Sequence, residues 1–240
     1  VHRFRNCIGG YTRSNNTYSF AAAEVIVPHV LGDFWGPLAA TTSWDAIAES
    51  GELIVAFGGI PLKNGQITPG GVGVHRQAEG FRAAKRAGVE FVNISPLRSD
   101  VEDELAPDWL AVRPNSDTAL MLGLAHTLVA EDLADRAFLT SHTVGFERFQ
   151  EYLLGTSDGV AKDADWAAEL CDIPSENIRG LARKMAAKRT MISVSWSLNR
   201  QDHGEQPYWM SITLAAMLGQ IGLPGGGVGF GYSASNNVGD

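Results

Sequence analysis

The sequence predicts an α/β protein built on a doubly wound, mostly parallel β-sheet, with segments of a second, discontinuous α/β domain beside it. Four short apolar runs each end in a turn of glycine, proline or polar residues, and each of the first three is followed by helical sequence. The runs are Leu53–Phe57, Phe91–Ile94, Trp109–Val112 and Met191–Ser195. Strands that alternate with helices are typical of a parallel sheet, because each helix carries the chain back to the edge where the next strand begins.

Helical sequence precedes the first strand and fills the intervals between the others. Residues Tyr18 to Val30 predict an alanine-rich helix that is capped by Asn16 or Thr17, and Pro28 should kink or end it. The other predicted helices cover residues 44–50, 74–87, 118–129, 163–171, 175–187 and 206–221. The helix at 118–129 is apolar on nearly all sides, so we expect it to be buried.

The chain divides into three parts in this interpretation. Residues 1–50 belong to the discontinuous domain, residues 51–225 form the doubly wound domain, and residues 226–240 begin a return segment. The chain starts without an initiator methionine and stops just beyond a glycine-rich turn. We therefore expect a fragment of a longer protein, and its cellular compartment stays open.

Charge and composition argue against several classes of protein. With 27 acidic and 19 basic residues the net charge is −8, which does not suit a nucleic-acid-binding surface. No apolar run is long enough to span a membrane. Cys7 and Cys171 lie far apart without a CxxC pattern, which favours neither a disulfide framework nor a thiolate zinc site. We expect Cys171 to be a buried small apolar residue in a helix.

The loops that follow the strands carry Asn, Ser, Asp and Arg, which suits a large nucleotide-like ligand. In parallel sheets, ligands collect at the carboxyl ends of the strands. Glycines such as Gly58–Gly59 and Gly225–Gly227 can let the backbone approach a phosphate, or they can simply turn the chain. The first strand is not followed by a GxGxxG pattern, so an ordinary nicotinamide site is not supported.

Three single residues in this sequence each allow two interpretations. Asp117 can accept hydrogen bonds from a ribose diol or a guanine edge, or it can interact with the dipole at the start of its own helix. Ser19 can offer an oxygen ligand to a high-valent metal, or its hydroxyl can bond the backbone of a first helical turn. Trp196 can flank a ring at a strand end, or it can pack in the core.

Four segments together resemble the molybdenum bis(pterin guanine dinucleotide) oxidoreductases, and most closely the branch that reduces dimethyl sulfoxide, trimethylamine N-oxide and biotin sulfoxide. The segments are Tyr18–Gly32, Ser116–Leu128, Trp196–Gln206 and Gly219–Gly227. They occur in the order of that family and span almost the whole chain. One departure stands out, since relatives often have Ser-Gly-Asp-Tyr-Ser where this chain has Asn-Asn-Thr-Tyr-Ser, ending at Ser19.

The resemblance implies a cofactor, a metal ligand and a set of binding residues. The cofactor is molybdenum held by bis(molybdopterin guanine dinucleotide), and Ser19 ligates the metal through its side-chain oxygen. The cofactor-binding positions that it implies are Gly59, Pro61, Lys63 and Asn64 after the first strand, Ser95, Pro96 and Arg98 after the second, Asp117, and Trp196, Ser197, Arg200 and Gln206 in the fourth group.

The resemblance also implies an activity, namely oxygen-atom transfer that reduces an S-oxide or an N-oxide in a prokaryote. Electrons would come from a c-type cytochrome, a quinol-linked protein or a thioredoxin-like system. The compartment is either periplasmic or cytoplasmic. Two alternatives stay open: a formate- or nitrate-type relative, which would need Cys, selenocysteine or Asp at the metal, and a metal-free nucleotide-binding module.

Overall fold

A computed structural model describes residues 1–12, 17, 19–66 and 76–232 of the chain. Across these residues, five parallel strands form one sheet in the order β3-β2-β1-β4-β5. The strands are β1 Leu53–Phe57, β2 Glu90–Ile94, β3 Asp108–Leu110, β4 Thr190–Val194 and β5 Gly227–Phe230. The predicted α/β class with a parallel sheet is confirmed. Within the same ranges, no helix is both long and apolar enough to cross a lipid bilayer.

Eleven α-helices surround the sheet in the described part of the chain. They are α1 His2–Cys7, α2 Ala21–Leu31, α3 Trp35–Ala39, α4 Trp44–Ser50, α5 Gln77–Arg86, α6 Asp117–Ala130, α7 Arg136–His142, α8 Phe146–Leu153, α9 Ala164–Cys171, α10 Ser175–Ala187 and α11 Gln206–Met217. Short 3₁₀ turns cover Leu62–Gln66, Arg98–Asp100, Asp103–Leu105 and Trp196–Asn199.

The two faces of the sheet bury two separate apolar cores. Side chains alternate along a strand, so Leu53, Val55 and Phe57 of β1 face the larger core, whereas Ile54 and Ala56 face the smaller one. Helices α2, α6, α9, α10 and α11 contribute to the larger core, and α4 and α5 to the smaller core. Helices on both faces of a parallel sheet are the arrangement of a doubly wound fold.

Most predicted elements are confirmed, several of them to the residue. Strand β1 and helices α4 and α10 have the predicted bounds, and β4 lies one residue earlier than predicted. Helix α6 is buried on nearly all sides, as expected. Cys171 ends α9 and is fully buried, whereas Cys7 is exposed.

Helix α2 differs from its prediction at both ends. It begins at Ala21 with Phe20 at the N-cap position, so the prediction of a start at Tyr18 is wrong. Thr17 therefore lies well before the helix, and Asn16 lies outside the described residues. Pro28 does not end the helix, which continues to Leu31 and stops at Gly32, a glycine in the left-handed conformation with φ of 85°.

Three further elements differ from the predictions, and two of these differences have local causes. Strand β3 lies earlier than the predicted run, at Asp108–Leu110, and α11 stops at Met217 rather than at residue 221. Past that stop, Gly219 adopts a φ of 66°, which is incompatible with a continuing helix. Strand β5 was not predicted, because glycine at two of its four positions hides the strand pattern.

Candidate functional site

The candidate site lies at the carboxyl edge of the sheet, where the loops after β1, β2 and β4 meet the start of α6. Gly58 and Gly59 follow β1 with φ values of 77° and 72°, which other residues rarely adopt. A Cβ on Gly58 would lie 2.5 Å from the Leu198 side chain, and one on Gly59 would lie 2.5 Å from Asp100. Because these two glycines have no side chains, the loops after β4 and β2 can pack directly against the loop after β1.

The loop after β2 is folded by its own polar side chains. The buried Ser95 hydroxyl donates to a carboxylate oxygen of Asp100 at 2.6 Å and accepts from the Leu97 amide at 3.2 Å. The amide of Asn93, which is also buried, donates to the carbonyls of Leu97 and Arg98. Because Ser95 is occupied in this way, its side chain shapes the loop.

The remaining predicted residues of the first two loops lie at the surface of this edge or beneath it. Pro61 is buried, whereas Lys63 and Asn64 are exposed on the 3₁₀ turn Leu62–Gln66. Pro96 and Arg98 are exposed too, and the Arg98 guanidinium lies 3.7 Å from Asp103 in a solvent-accessible ion pair. These exposed side chains are accessible to a ligand at the carboxyl edge of the sheet.

The loop after β4 places an aromatic side chain and an exposed hydroxyl at the same edge. The Ser195 hydroxyl accepts from the amide and from the hydroxyl of Ser197, at 3.3 and 3.1 Å. Trp196 is partly buried against Phe20, Tyr208 and Phe230. Trp196 therefore packs on these rings, its role as a flank for a ligand ring stays a prediction, and Ser197 is exposed beside it.

Asp117, the first residue of α6, is a buried carboxylate at this edge. Asp117 is buried, with 5% of its surface exposed, and burial raises the pKa of its carboxyl to about 6. Within the described residues, no salt bridge neutralises it. A buried carboxylate without a cation gains most from a ligand that donates hydrogen bonds to it.

Asp117 also lies close to the residues that follow β4. Burial raises the pKa of the Tyr208 hydroxyl, the nearby Arg200 lowers it, and the Asp117 charge adds to the rise. Gln206 begins α11, and its side-chain amide donates to Glu205 at 3.4 Å. Tyr208 of α11 thus lies within electrostatic range of both Asp117 and Arg200.

Ser19 lies in a turn two residues before α2, so the expectation that it occupies the first helical turn is wrong. Its side chain is exposed, and its backbone amide donates to the Thr17 hydroxyl at 3.3 Å. The next residue, Phe20, packs on Trp196 with ring centroids 5.2 Å apart. Ser19 is therefore held next to the loop that follows β4, at the same edge as the other candidate residues.

Sequence reasoning missed two residues that build this edge, Asn199 and Tyr208. Asn199 accepts from the Ala23 amide of α2 at 2.8 Å and donates to the Tyr208 hydroxyl at 2.6 Å. Tyr208 donates in turn to the Ser195 carbonyl at 2.7 Å. The partners are far apart in sequence, and no local pattern marks them.

The glycine run Gly225–Gly227 does not belong to the site. Strand β5 begins at Gly227, which pairs with Met191 near the start of β4. A Cβ on Gly225 would collide with the backbone of Gly51, just before β1. These glycines therefore lie at the amino edge of the sheet, and the interpretation that they approach a phosphate beside the other loops is wrong.

The donor groups at the carboxyl edge fit a large polar cofactor better than a metal ion bound by protein alone. In the portion that the structure describes, no three His, Cys, Asp or Glu side chains lie close enough together to hold a metal. The edge instead offers the exposed Ser19 hydroxyl, several exposed polar side chains and one buried carboxylate. A ligand that donates hydrogen bonds matches the buried carboxylate of this set.

The sequence is similar to those of several known reductases. The chain is 44% identical to the dimethyl sulfoxide/trimethylamine N-oxide reductase of Cereibacter sphaeroides, over 98% of its own length and 28% of the relative. It is 44% identical to the biotin sulfoxide reductase of the same organism, covering 100% of this chain and 32% of the relative. It is 43% identical to the trimethylamine-N-oxide reductase of Haemophilus influenzae, covering 98% of this chain and 28% of the relative.

A solved structure supports the fold alone. Acetylene hydratase from Pelobacter acetylenicus superposes with a TM-score of 0.65 at 21% identity, over 91% of this chain and 27% of that protein. The chain thus spans about a third or less of the length of the proteins that it matches. The model of the family described as molybdopterin oxidoreductase matches residues 1–238. With a match of that extent, and with a sheet edge suited to such a cofactor, the chain belongs to the molybdopterin oxidoreductase family.

Proposed function

We propose that this chain is the central part of the catalytic polypeptide of a prokaryotic S-oxide or N-oxide reductase. The family implies molybdenum and molybdopterin, and we propose the bis(molybdopterin guanine dinucleotide) form with Ser19 as the protein ligand of the metal. One observation carries the proposal: Ser19 is exposed, and the residues that follow it, Phe20 and Ala23, contact Trp196 and Asn199 in the loop after β4. The names of the similar reductases favour this class of substrate over a formate- or nitrate-type relative.

The bound cofactor would supply two-electron oxygen-atom transfer from the oxide, and the residues of this chain would bind it and orient it. Gly58 and Gly59 let the loops on both sides pack against the loop after β1, since side chains there would collide with Leu198 and Asp100. Lys63 and Arg98, both exposed, can neutralise phosphate charge. The exposed side chains Asn64 and Ser197 can add hydrogen bonds.

Asp117 is suited to the guanine end of the cofactor. A guanine edge or a ribose diol donates hydrogen bonds, and a buried carboxylate accepts them in a medium where they are strong. Because protonation removes this acceptor, the raised pKa of Asp117 makes cofactor affinity fall as the pH drops through about 6. Asp117 would therefore set a lower pH limit for cofactor retention.

The electron donor and the role of the enzyme in the cell belong to the same proposal. Reduction of an oxide consumes two electrons, which a c-type cytochrome, a quinol-linked protein or a thioredoxin-like protein would deliver. The net charge of −8 disfavours nucleic acid as a partner. Growth by anaerobic respiration on such an oxide is the physiological setting that fits this chemistry.

The test compares Ser19→Ala with Ser141→Ala in the full-length protein. Ser141 is an exposed serine of α7, and its hydroxyl donates to the Ala137 carbonyl. We expect purified wild type to contain molybdenum and to reduce dimethyl sulfoxide, trimethylamine N-oxide or a related oxide. Ser19→Ala should lose at least about a hundredfold in kcat, as expected when a group in direct contact with the reacting centre is removed, and Ser141→Ala should keep wild-type activity. Wild-type kcat in Ser19→Ala would refute the ligand role.

A further inference from the structure

The start of helix α2 takes its cap from the loop after β4. The N-cap residue Phe20 makes no side-chain capping bond, so the first amides of α2 need another acceptor. Asn199 provides one, since its Oδ1 accepts from the Ala23 amide at 2.8 Å. Ala23 is fully buried, and its amide would lose its partner without Asn199.

Asn199 is itself held in one orientation by Tyr208. Its Nδ2 donates to the Tyr208 hydroxyl at 2.6 Å, and that hydroxyl donates to the Ser195 carbonyl at 2.7 Å. Tyr208 is fully buried, and burial raises the pKa of its hydroxyl, which keeps its proton for this bond. The Tyr208 hydroxyl uses its proton in the bond to Ser195, so it can only accept from Asn199, and the group facing it must be the Asn199 Nδ2. The Oδ1 of Asn199 therefore faces α2.

Aromatic packing makes a second link between the same two segments. The Phe20 ring lies 5.2 Å from that of Trp196, and the Trp196 ring stacks on that of Tyr208 at 5.9 Å with an interplanar angle of 16°. Tyr208 thus supports both links, by its hydroxyl and by its ring. The two anchored groups of α2, the Phe20 ring and the Ala23 amide, follow Ser19 by one and four positions.

We infer that Asn199 and Tyr208 are positioning residues that tie Ser19 to the cofactor-binding loop after β4. Neither residue needs to touch the metal. They fix the distance between the loop that carries Ser197 and Arg200 and the turn that carries Ser19, so a cofactor held by the loop meets the hydroxyl in one position. This inference rests on the proposed function.

The experiment uses Asn199→Ala and Tyr208→Phe in the full-length, cofactor-loaded protein. A matched control is Tyr232→Phe, because the Tyr232 hydroxyl also donates to a backbone carbonyl, that of Thr42 at 2.8 Å, beside the smaller core on the other face of the sheet. The readouts are molybdenum per protein and the electron paramagnetic resonance spectrum of the one-electron-reduced metal. We expect both variants to show an altered or split spectrum and a kcat about tenfold or more lower with little change in KM, and we expect the control to match wild type.

Combining each variant with Ser19→Ala separates positioning from general damage to the loop. If Asn199 and Tyr208 act through Ser19, their effects on metal content and spectrum should vanish in the Ser19→Ala background. Effects that simply add, or a wild-type spectrum in Tyr208→Phe, would overturn the inference even if Asn199→Ala does not fold. Failure of the proposed function is distinct from either result, since wild type would then lack molybdenum or Ser19→Ala would leave its spectrum unchanged.

Discussion

At the scale of single residues, Asp117 is the buried carboxylate of the candidate site. Its carboxylate starts α6, where the helix dipole favours a negative charge, yet its pKa is raised to about 6 because burial removes water. Burial therefore outweighs the hydrogen bond from its own backbone amide, which lowers the pKa. Ionising this carboxylate costs more free energy than ionising an exposed one. Hydrogen bonds donated by a ligand would offset that cost.

Replacing Asp117 should change how stability depends on pH. The pKa of this group is raised from 3.8 to about 6 on folding, so the folded state holds the proton more tightly and the free energy of unfolding falls as the pH rises through this window. The loss amounts to about 3 kcal/mol at most. In the cofactor-free protein, Asp117→Asn should remove this loss, as measured by urea unfolding at pH values on either side of the window.

The control for this experiment is Asp45→Asn, since Asp45 is an exposed carboxylate in the first turn of α4. It should keep the wild-type dependence on pH. An Asp117→Asn protein that still loses stability between about pH 4 and pH 7 to the wild-type extent would contradict the account of a buried, desolvated carboxylate.

At the scale of elements, α6 is fixed by close packing on α9, α10 and α11. Gly123 of α6 faces α9 and α10, and a Cβ there would lie 2.7 Å from the Ala167 Cβ and 3.3 Å from the Ile178 side chain. This close approach holds the helix that carries Asp117 at its start. A shift of α6 would move the carboxylate relative to the loop after β4.

Alanine substitutions at two helical glycines should therefore change the free energy of unfolding in opposite directions. Gly123→Ala should lower the free energy of unfolding by about 1–3 kcal/mol, because the added methyl overpacks the contact between helices. Gly180→Ala in α10 should raise it by up to about 1 kcal/mol, because its Cβ points into open space and alanine favours the helix. Chemical denaturation measures both, and a stabilising Gly123→Ala would show that the packing is looser than described.

An element can be predicted from the sequence when the residues that determine it lie within the element itself. β1 is an apolar run and β4 a largely apolar one, and both are buried at every position, so these strands could be predicted directly from composition. β5 could not, because the sequence Gly-Val-Gly-Phe becomes a strand only when β4 offers it a partner. The start of α2 also depends on a distant residue, since Asn199 caps it from 176 positions away.

The same distinction applies to the site. Ser19 and Asp117 could be proposed from the sequence because family resemblance and helix-start chemistry point to them. The buried hydroxyl of Tyr208 and the orientation of Asn199 follow only from how the loop after β4 packs on α2. Residues that position a group through other residues leave no spacing pattern to recognise.

At the scale of the whole molecule, the parallel sheet explains why the candidate residues meet. Every strand of the described sheet runs in the same direction, so the loops after β1, β2 and β4 all open at one edge. Segments separated by more than a hundred residues, such as Ser19 and Ser197, are brought to that edge by the topology and by the cap on α2. Sheet and cap together bring the candidate residues to one edge.

The most direct test of this account is X-ray absorption at the molybdenum edge, measured on the full-length wild-type protein and on Ser19→Ala. The account predicts a spectrum with an oxygen neighbour from a side chain in wild type, and loss of that neighbour in the variant while the sulfur neighbours from the cofactor stay. Identical coordination in the two proteins, or a metal bound by a cysteine sulfur of the protein, would contradict it.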